Sequence, residues 1–195
     1  MRRIRGVGGR WHRRVASSLR GLRGLRPLCD AEREFVRREF ADSVRLDALR
    51  IAGGGHPIGR CAWQPIGALI QMDDACFEGS DPGNALRVTA YPTLAHEVLH
   101  VWQRQHRHCV VNVSVDGLWL GITRGAAAYA YDRMAVDPQR MLEQFLAANI
   151  EGQGQMYEDY VRSNVSDPDA RDARYALIAA YVKAPGQING YFSKA

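Results

Sequence analysis

The sequence predicts an α+β domain in which a small sheet packs on one helix and further helices follow toward the C-terminus. Three observations support this prediction. Strand-like segments with turn signals cluster in residues 44–72. Capped helical patterns dominate from residue 93 onward. A chain of 195 residues is long enough for one domain with a buried core, and its 46% hydrophobic content is ordinary for a globular protein.

The first half of the predicted domain combines one helix with the strands. Residues 30–41 (DAEREFVRREFA) are amphipathic, and we expect a helix capped by Asp30. Residues 44–51 (VRLDALRI) resemble a strand that ends at a glycine-rich turn. Residues 61–72 (CAWQPIGALIQM) predict one or two strands, broken at Pro65 and Gly67.

Helices account for most of the second half, because capping residues precede several helical patterns. Val110–Val115 alternates and predicts one further short strand. The predicted helices are Thr93–Gln105 with Thr93 as the cap, residues 138–148 after Asp137, residues 150–163 after Asn149, and residues 168–181 after Asp167.

The positive charge is concentrated at the N-terminus. Residues 1–26 contain nine arginines and no acid; subtracting them from the net charge of +5 leaves −4 on the rest. We expect residues 1–25 to be a disordered basic leader or an extension from an upstream start codon, and residues 26–195 to form the domain. A transit peptide and a basic nucleic-acid-binding arm are the alternatives. No groove-reading motif supports the arm, so no specific nucleic-acid partner is predicted.

Four cysteines are widely spaced, at positions 29, 61, 76 and 109, without a CxxC pair. A chain of this size needs no disulfides for stability, so we expect free thiols in a cytoplasmic protein. Two disulfides in an exported form are the alternative. No apolar run approaches the ~20 residues of a membrane span, so none is predicted.

The segment His96-Glu97-Val98-Leu99-His100 is an HExxH motif. Residues four apart lie on the same face of a helix, so His96 and His100 can bind one Zn²⁺ while Glu97 reaches a water molecule beside it. This arrangement is typical of metal-assisted hydrolysis, with Glu97 as the general base and acid. A random chain of this composition would contain about 0.007 such motifs on average. The pattern therefore predicts a metal site rather than two unrelated histidines.

A catalytic zinc usually has three protein ligands, so one more is needed. His106 has the spacing of a third histidine, but Gln103 stands where the chain would need a turning glycine. A continuous helix places His106 about 240° from His100. Glu151 and Glu158, seven residues apart on a later helix, are the other candidates, and Glu151 is preferred.

Glycines flank the preferred candidate. Gly152 and Gly154 each cost about 1 kcal/mol in a helix, which a close approach between helices would explain. Two further expectations concern the substrate. Tyr131 or Tyr160 could donate a hydrogen bond to a developing oxyanion. Residues 68–72 could form an edge strand that pairs with an extended peptide.

Three segments in order resemble one bacterial family. The segments RPLCDAEREFVRREFADSVRLDALRI, TLAHEVLHVWQ and NIEGQGQMYEDY are similar to zincin-like metallopeptidase domains of Vgr-related or Rhs-type proteins of type VI secretion and of contractile injection systems. The match spans about residues 26–163. Gly152 and Gly154 depart from the family pattern, which has glutamine and a small residue there, and Cys29 replaces a common threonine.

The resemblance implies a zincin-like fold and a zinc metallopeptidase. His96 and His100 match the family's metal ligands, Glu97 its catalytic glutamate, and Glu151 the glutamate of its N-I-E segment and thus the third ligand. It further implies a peptide or protein substrate, secretion-system partners, and a bacterial cytoplasmic protein that a secretion apparatus could export. The alternative is a catalytically silent zincin-like module with a structural or adaptor role in that apparatus.

Overall fold

The computed structural model describes residues 22–54, 62–107, 127 and 129–185, and these form an α+β, mostly helical architecture. Short 3₁₀ turns connect the main elements. The strands are β1 (Arg23–Pro27), β2 (Arg50–Gly53), β3 (Ala62–Ile66) and β4 (Leu69–Met72). The helices are α1 (Asp30–Phe40), α2 (Tyr91–Arg107), α3 (Pro138–Ala147), α4 (Ile150–Ser163) and α5 (Ala176–Lys183).

The four described strands form one sheet in the order β1-β2-β4-β3. β2 and β4 run parallel, and the other neighbours are antiparallel. β3 and β4 form a hairpin that turns at Gly67, whose φ of 58° suits a glycine, and this confirms the predicted break at that residue. Pro65 lies inside β3, where the pairing with β4 shifts register between Trp63 and Ile66. Because β4 lies between β2 and β3, the prediction of an edge strand at residues 68–72 is wrong. β3 occupies that edge of the sheet.

The first strand of the sheet begins earlier in the chain than the sequence predicts, and β2 begins later. β1 starts at Arg23, inside the segment expected to be a leader, and pairs with β2 through Arg26 and Ile51. The strand predicted for residues 44–51 is wrong for most of its length. Leu46–Ala48 form a 3₁₀ turn there, and only the last two residues belong to β2. The predicted leader residues 1–21 lie outside the described part of the chain.

The N-terminus of α1 is held by a buried glutamate. The helix begins at Asp30, and its N-cap is Cys29 rather than the predicted Asp30. The carboxylate of Glu32 accepts hydrogen bonds from the backbone N–H of Cys29 and of Leu86, and from both terminal nitrogens of Arg26. Burial would raise the pKa of Glu32, but these donors outweigh it and lower the pKa. Glu32 therefore joins β1, α1 and the loop before α2.

Among the helices of the second half, α4 packs along α2, which also packs against β3. α2 begins at Tyr91, two residues before the predicted cap at Thr93. The two predicted caps that follow are confirmed: Asp137 accepts from the backbone N–H of Gln139, and Asn149 from that of Gly152. The predicted strand at residues 110–115 lies outside the described residues.

The last predicted helix, residues 168–181, is only partly correct. Asp167 caps a 3₁₀ turn at Pro168–Ala170, and a second such turn precedes α5, which starts at Ala176. In that connection Arg171 forms a buried two-pronged ion pair with Glu39 of α1, with nitrogen–oxygen distances of 2.5 and 2.9 Å. This pair joins the first and last parts of the described fold.

Two further properties of the described residues concern the predictions above. Cys29 is a free thiol, and Cys61 and Cys109 lie outside the described ranges. Within those ranges, no helix combines the length and the apolar character needed to cross a membrane.

Candidate metal centre

His96 and His100 face the same side of α2, one turn apart. The helix is apolar where it meets the core, with Leu94, Val98 and Leu99 completely buried. The imidazole rings lie edge to face with centroids 4.9 Å apart, and the two residues are only 6% and 7% exposed. Two imidazoles on one buried helix face supply two of the donors that a metal site would need.

Glu151 supplies a third donor from α4. The Asn149 cap starts α4, and Glu151 occupies its first turn, 9% exposed. Its carboxylate oxygens lie 3.6 Å from Nε2 of His96 and 3.7 Å from Nε2 of His100. Donor atoms of the three residues all lie within 4.8 Å of one another, so the described residues contain a possible metal-binding triad.

The spacing of the triad fits a shared ion better than direct hydrogen bonds. Separations of 3.6 and 3.7 Å exceed the 2.7–3.2 Å of a nitrogen–oxygen hydrogen bond. Ligands about 2.0–2.2 Å from a tetrahedral zinc stand about 3.4 Å from one another. Each Nε2 therefore lies from its nearer carboxylate oxygen at almost the separation that two ligands of such an ion would have.

The second nitrogen of each imidazole also has a partner. Nδ1 of His96 donates to Oε2 of Glu158 at 3.0 Å, and Arg162 pairs with the other oxygen of that carboxylate. Nδ1 of His100 lies 2.8 Å from Oε1 of Gln103. Metal-binding histidines usually use their second nitrogen in this way, which orients the ring and directs Nε2 toward the ion.

Gly154 allows α4 to approach the ring of His96. A Cβ at this position would lie 2.6 Å from Nε2, 2.8 Å from Cε1 and 2.9 Å from Cδ2 of His96. No side chain larger than hydrogen fits there without displacing the ring. The predicted close helix approach is therefore found at Gly154, where the imidazole of α2 lies against the backbone of α4.

The charges of the site act differently on the two histidines. Burial alone would lower the pKa of His96, but the carboxylates of Glu151, Glu158 and Glu97 outweigh burial and raise it to about 10. Burial also lowers the pKa of His100, and there it prevails, giving about 4. In the metal-free protein His96 is therefore protonated at neutral pH and His100 is not.

We expect metal binding to release about one proton at pH 6, because an ion must displace the proton of His96. Between the pKa values of His100 and His96, apparent affinity should rise about tenfold per pH unit. Calorimetric titration with Zn²⁺ in buffers of different ionisation enthalpy measures the released proton. No release at pH 6 would contradict a protonated His96.

Glu97 follows His96 directly and is 6% exposed. Its charge raises the pKa of His96 and also acts on Arg104, farther along α2. Burial lowers the pKa of Arg104 to about 10 despite that influence, and its guanidinium donates to the carbonyl oxygen of Gly67 in the β3–β4 turn. The charge of Glu97 thus acts both on a histidine of the triad and on the arginine that contacts the hairpin.

The alternative third ligands lie in other positions. Glu158 contacts Nδ1 of His96, the ring nitrogen that does not face Glu151. His106 donates from Nε2 to the carbonyl oxygen of Ser43 at 2.7 Å, and its ring packs 5.1 Å from Trp102. α2 continues unbroken to Arg107, so the chain makes no turn that could bring His106 to the triad.

Neither tyrosine proposed from the sequence contacts the triad. The hydroxyl of Tyr131 bonds to Asp159 at 2.6 Å and to Tyr175 at 2.7 Å, and Tyr160 packs under Arg171. The tyrosine ring found beside the site is that of Tyr129, 6.3 Å from the ring of His96.

Sequence reasoning missed the roles of the partners behind the ligands. Glu158 lies two helical turns after Glu151, and Gln103 one turn after His100, so spacing placed both on the right faces. Spacing does not indicate which imidazole nitrogen each side chain meets. It gave no signal at all for Gln153, whose contact with Gln103 depends on the packing of α2 against α4.

Comparisons of the chain with protein-family models, with curated proteins and with solved structures found no match. The triad and its surroundings therefore provide the physical basis for a function.

Proposed function

We propose that the protein is a zinc-dependent hydrolase, and most specifically a metallopeptidase of zincin-like type. The observation that supports this is the convergence of two imidazole Nε2 atoms and one carboxylate at ligand-sharing distances of 3.6 and 3.7 Å. The HExxH motif adds a second carboxylate, that of Glu97, which follows His96 directly in the sequence.

Zinc is the ion that this donor set suits best. Two nitrogens and one oxygen, each nearly buried, match the His₂Glu ligand set of hydrolytic zinc sites, which leave a fourth position open. Magnesium and calcium prefer oxygen ligands and retain several waters, so two imidazoles in the triad argue against them.

In the proposed reaction, Glu97 and Glu158 have different roles. When bound, Zn²⁺ acts as a Lewis acid that acidifies water and polarises a carbonyl group. Glu97 accepts the proton of the attacking water and returns it to the departing nitrogen. Glu158 orients His96 and adds negative charge behind it, which increases the basicity of the ligand.

The sheet provides a place for an extended peptide. β3 is an edge of the described sheet and packs near α2, and its hairpin turn is tied to α2 through Arg104 and Gly67. A peptide added alongside β3 through backbone hydrogen bonds would run past the helix that carries Glu97. This placement favours a peptide or protein substrate over a small amide.

The cellular role that we propose comes from the resemblance of the three segments. It associates the chain with a bacterial secretion apparatus, either acting in the cytoplasm or exported as cargo. The metal site is compatible with both, since zinc ligands of this type operate in either compartment.

Metal analysis combined with a hydrolysis assay tests the proposal. Purified protein should contain about one zinc per chain, and His96→Ala should lose it. Glu97→Gln should retain the zinc while hydrolysis of a labelled casein falls by about 10²–10⁴-fold, the range for a lost general base. Glu143→Gln, which changes an exposed glutamate of α3, is the matched control.

The outcomes separate the two candidate roles. Zinc without detectable hydrolysis in the wild type would favour the silent adaptor module. Full activity in Glu97→Gln would contradict the assigned base, and absence of stoichiometric zinc would contradict the metal site itself.

A further inference from the structure

A chain of hydrogen bonds extends from His100 into the corner between α3 and α4. Nδ1 of His100 lies 2.8 Å from Oε1 of Gln103. Nε2 of Gln103 donates to the carbonyl oxygen of Ile150 at 3.1 Å and to Oε1 of Gln153 at 2.9 Å. Nε2 of Gln153 in turn donates to the carbonyl oxygen of Phe145 at 2.8 Å. Both glutamines are fully buried, with 0% exposure.

The direction of this chain is fixed at its far end. A backbone carbonyl can only accept, so the group of Gln153 that faces Phe145 must be its amide nitrogen. The oxygen of Gln153 then faces Gln103 and requires a donor from it. The carbonyl of Ile150 independently requires the same donor. Turning either amide over would place oxygen against oxygen in a buried site and leave buried donors and acceptors without partners, which strongly disfavours that arrangement.

The fixed direction determines which nitrogen of His100 carries the proton. The oxygen of Gln103 can only accept, so Nδ1 of a neutral His100 must donate to it. The lone pair of the ring is then on Nε2, the atom that faces Glu151 at 3.7 Å. We propose that Gln103 and Gln153 form a positioning relay that holds His100 in the tautomer able to bind a metal. The metal-binding part of this inference rests on the proposed function, whereas the tautomer itself does not.

The relay also positions the third ligand. Phe145 is near the end of α3 and Ile150 is the first residue of α4, so the two carbonyls flank the corner that leads into Glu151. Gln103 therefore connects the helix that carries the histidines to the turn that presents the carboxylate. His96 differs from His100 in this respect, because the partner of its Nδ1 is the charged Glu158. At His100, by contrast, the amide of Gln103 orients the ring without adding charge.

The tautomer can be measured directly in the metal-free protein. Nitrogen-15-labelled histidine gives separate signals for protonated and unprotonated ring nitrogens, and those of His100 are identified by their loss in His100→Ala. At pH 8 we expect His100 to show a protonated Nδ1 and an unprotonated Nε2. Gln103→Met, which keeps the length of the side chain but removes the acceptor, should yield a mixture of tautomers. Its zinc affinity should fall by about 10–100-fold.

Two further variants keep the test decisive. Gln153→Met removes only the outer link, so it should have a smaller effect in the same direction even if Gln103→Met folds poorly. Gln105→Met is the matched control, because Gln105 lies on the same helix but accepts from the backbone N–H of Arg45; its tautomer signals and zinc affinity should equal those of the wild type.

The failure of the relay differs from the failure of the proposed function. A wild-type His100 protonated on Nε2, or unchanged zinc affinity and tautomer in Gln103→Met, would overturn the relay while zinc binding and hydrolysis remained. A wild type that binds no zinc but shows the Nδ1-protonated ring would overturn the hydrolase proposal and leave the relay in place.

Discussion

Gly154→Ala is expected to abolish zinc binding, although it adds only a methyl group. That methyl would lie 2.6 Å from Nε2 of His96, the atom that would bind the ion. The ring cannot easily withdraw, because Nδ1 is bonded to Glu158 and the residue is almost completely buried. Rotation of the imidazole would remove one of three ligands. Zinc content after dialysis and affinity by chelator competition measure the loss.

Stability separates a lost site from a lost fold in this variant. Alanine is favoured over glycine in a helix interior by about 1 kcal/mol, which partly offsets the clash. We therefore expect Gly154→Ala to remain folded by circular dichroism while it loses the metal. Gly83→Ala is the control, since the three atoms nearest to a Cβ there all belong to Asp81, none is closer than 3.3 Å, and the loop is exposed. Wild-type zinc affinity in Gly154→Ala would show that the ring of His96 adapts.

The local parts of the site could be predicted from the sequence because they depend on helix geometry. His96 and His100 share a face in any α-helix, and a continuous helix excludes His106, as observed. The caps at Asp137 and Asn149 were predictable for the same reason, since each side chain bonds to a backbone N–H two or three residues away.

The parts that depend on long-range packing were not predictable. The arginine-rich β1 is a strand because its backbone pairs with β2. The interior position of β4 depends on the order of all four strands. In residues 44–51 the alternating pattern suggests a strand, yet a 3₁₀ turn occupies Leu46–Ala48. Glycines 152 and 154 both signalled a close contact, but only the packed helices show that Gly154 meets His96.

Glu151 and Glu158 are expected to respond very differently to the same substitution. Both are carboxylates of α4 within 3.6 Å of the imidazole of His96, so their removal changes the charge of the site equally. Glu151 faces the Nε2 atoms of both histidines, as a ligand would. Of the two histidines, Glu158 contacts only His96, and it does so at Nδ1. Glu151→Gln should therefore lose zinc at stoichiometric concentrations. A neutral amide oxygen cannot replace the anionic donor of the set.

Glu158→Gln should be far milder, because a glutamine oxygen still accepts a hydrogen bond from Nδ1–H of His96. Glu158→Ala removes that acceptor and should lower zinc affinity by about 10–100-fold, the range for a residue that orients a ligand. His106→Gln should leave zinc affinity unchanged, since His106 bonds to Ser43. The order of affinities, with Glu151→Gln lowest, distinguishes a ligand from its support. If Glu158→Gln lost zinc as completely as Glu151→Gln, Glu158 would itself be a ligand, and the triad would have to be reassigned.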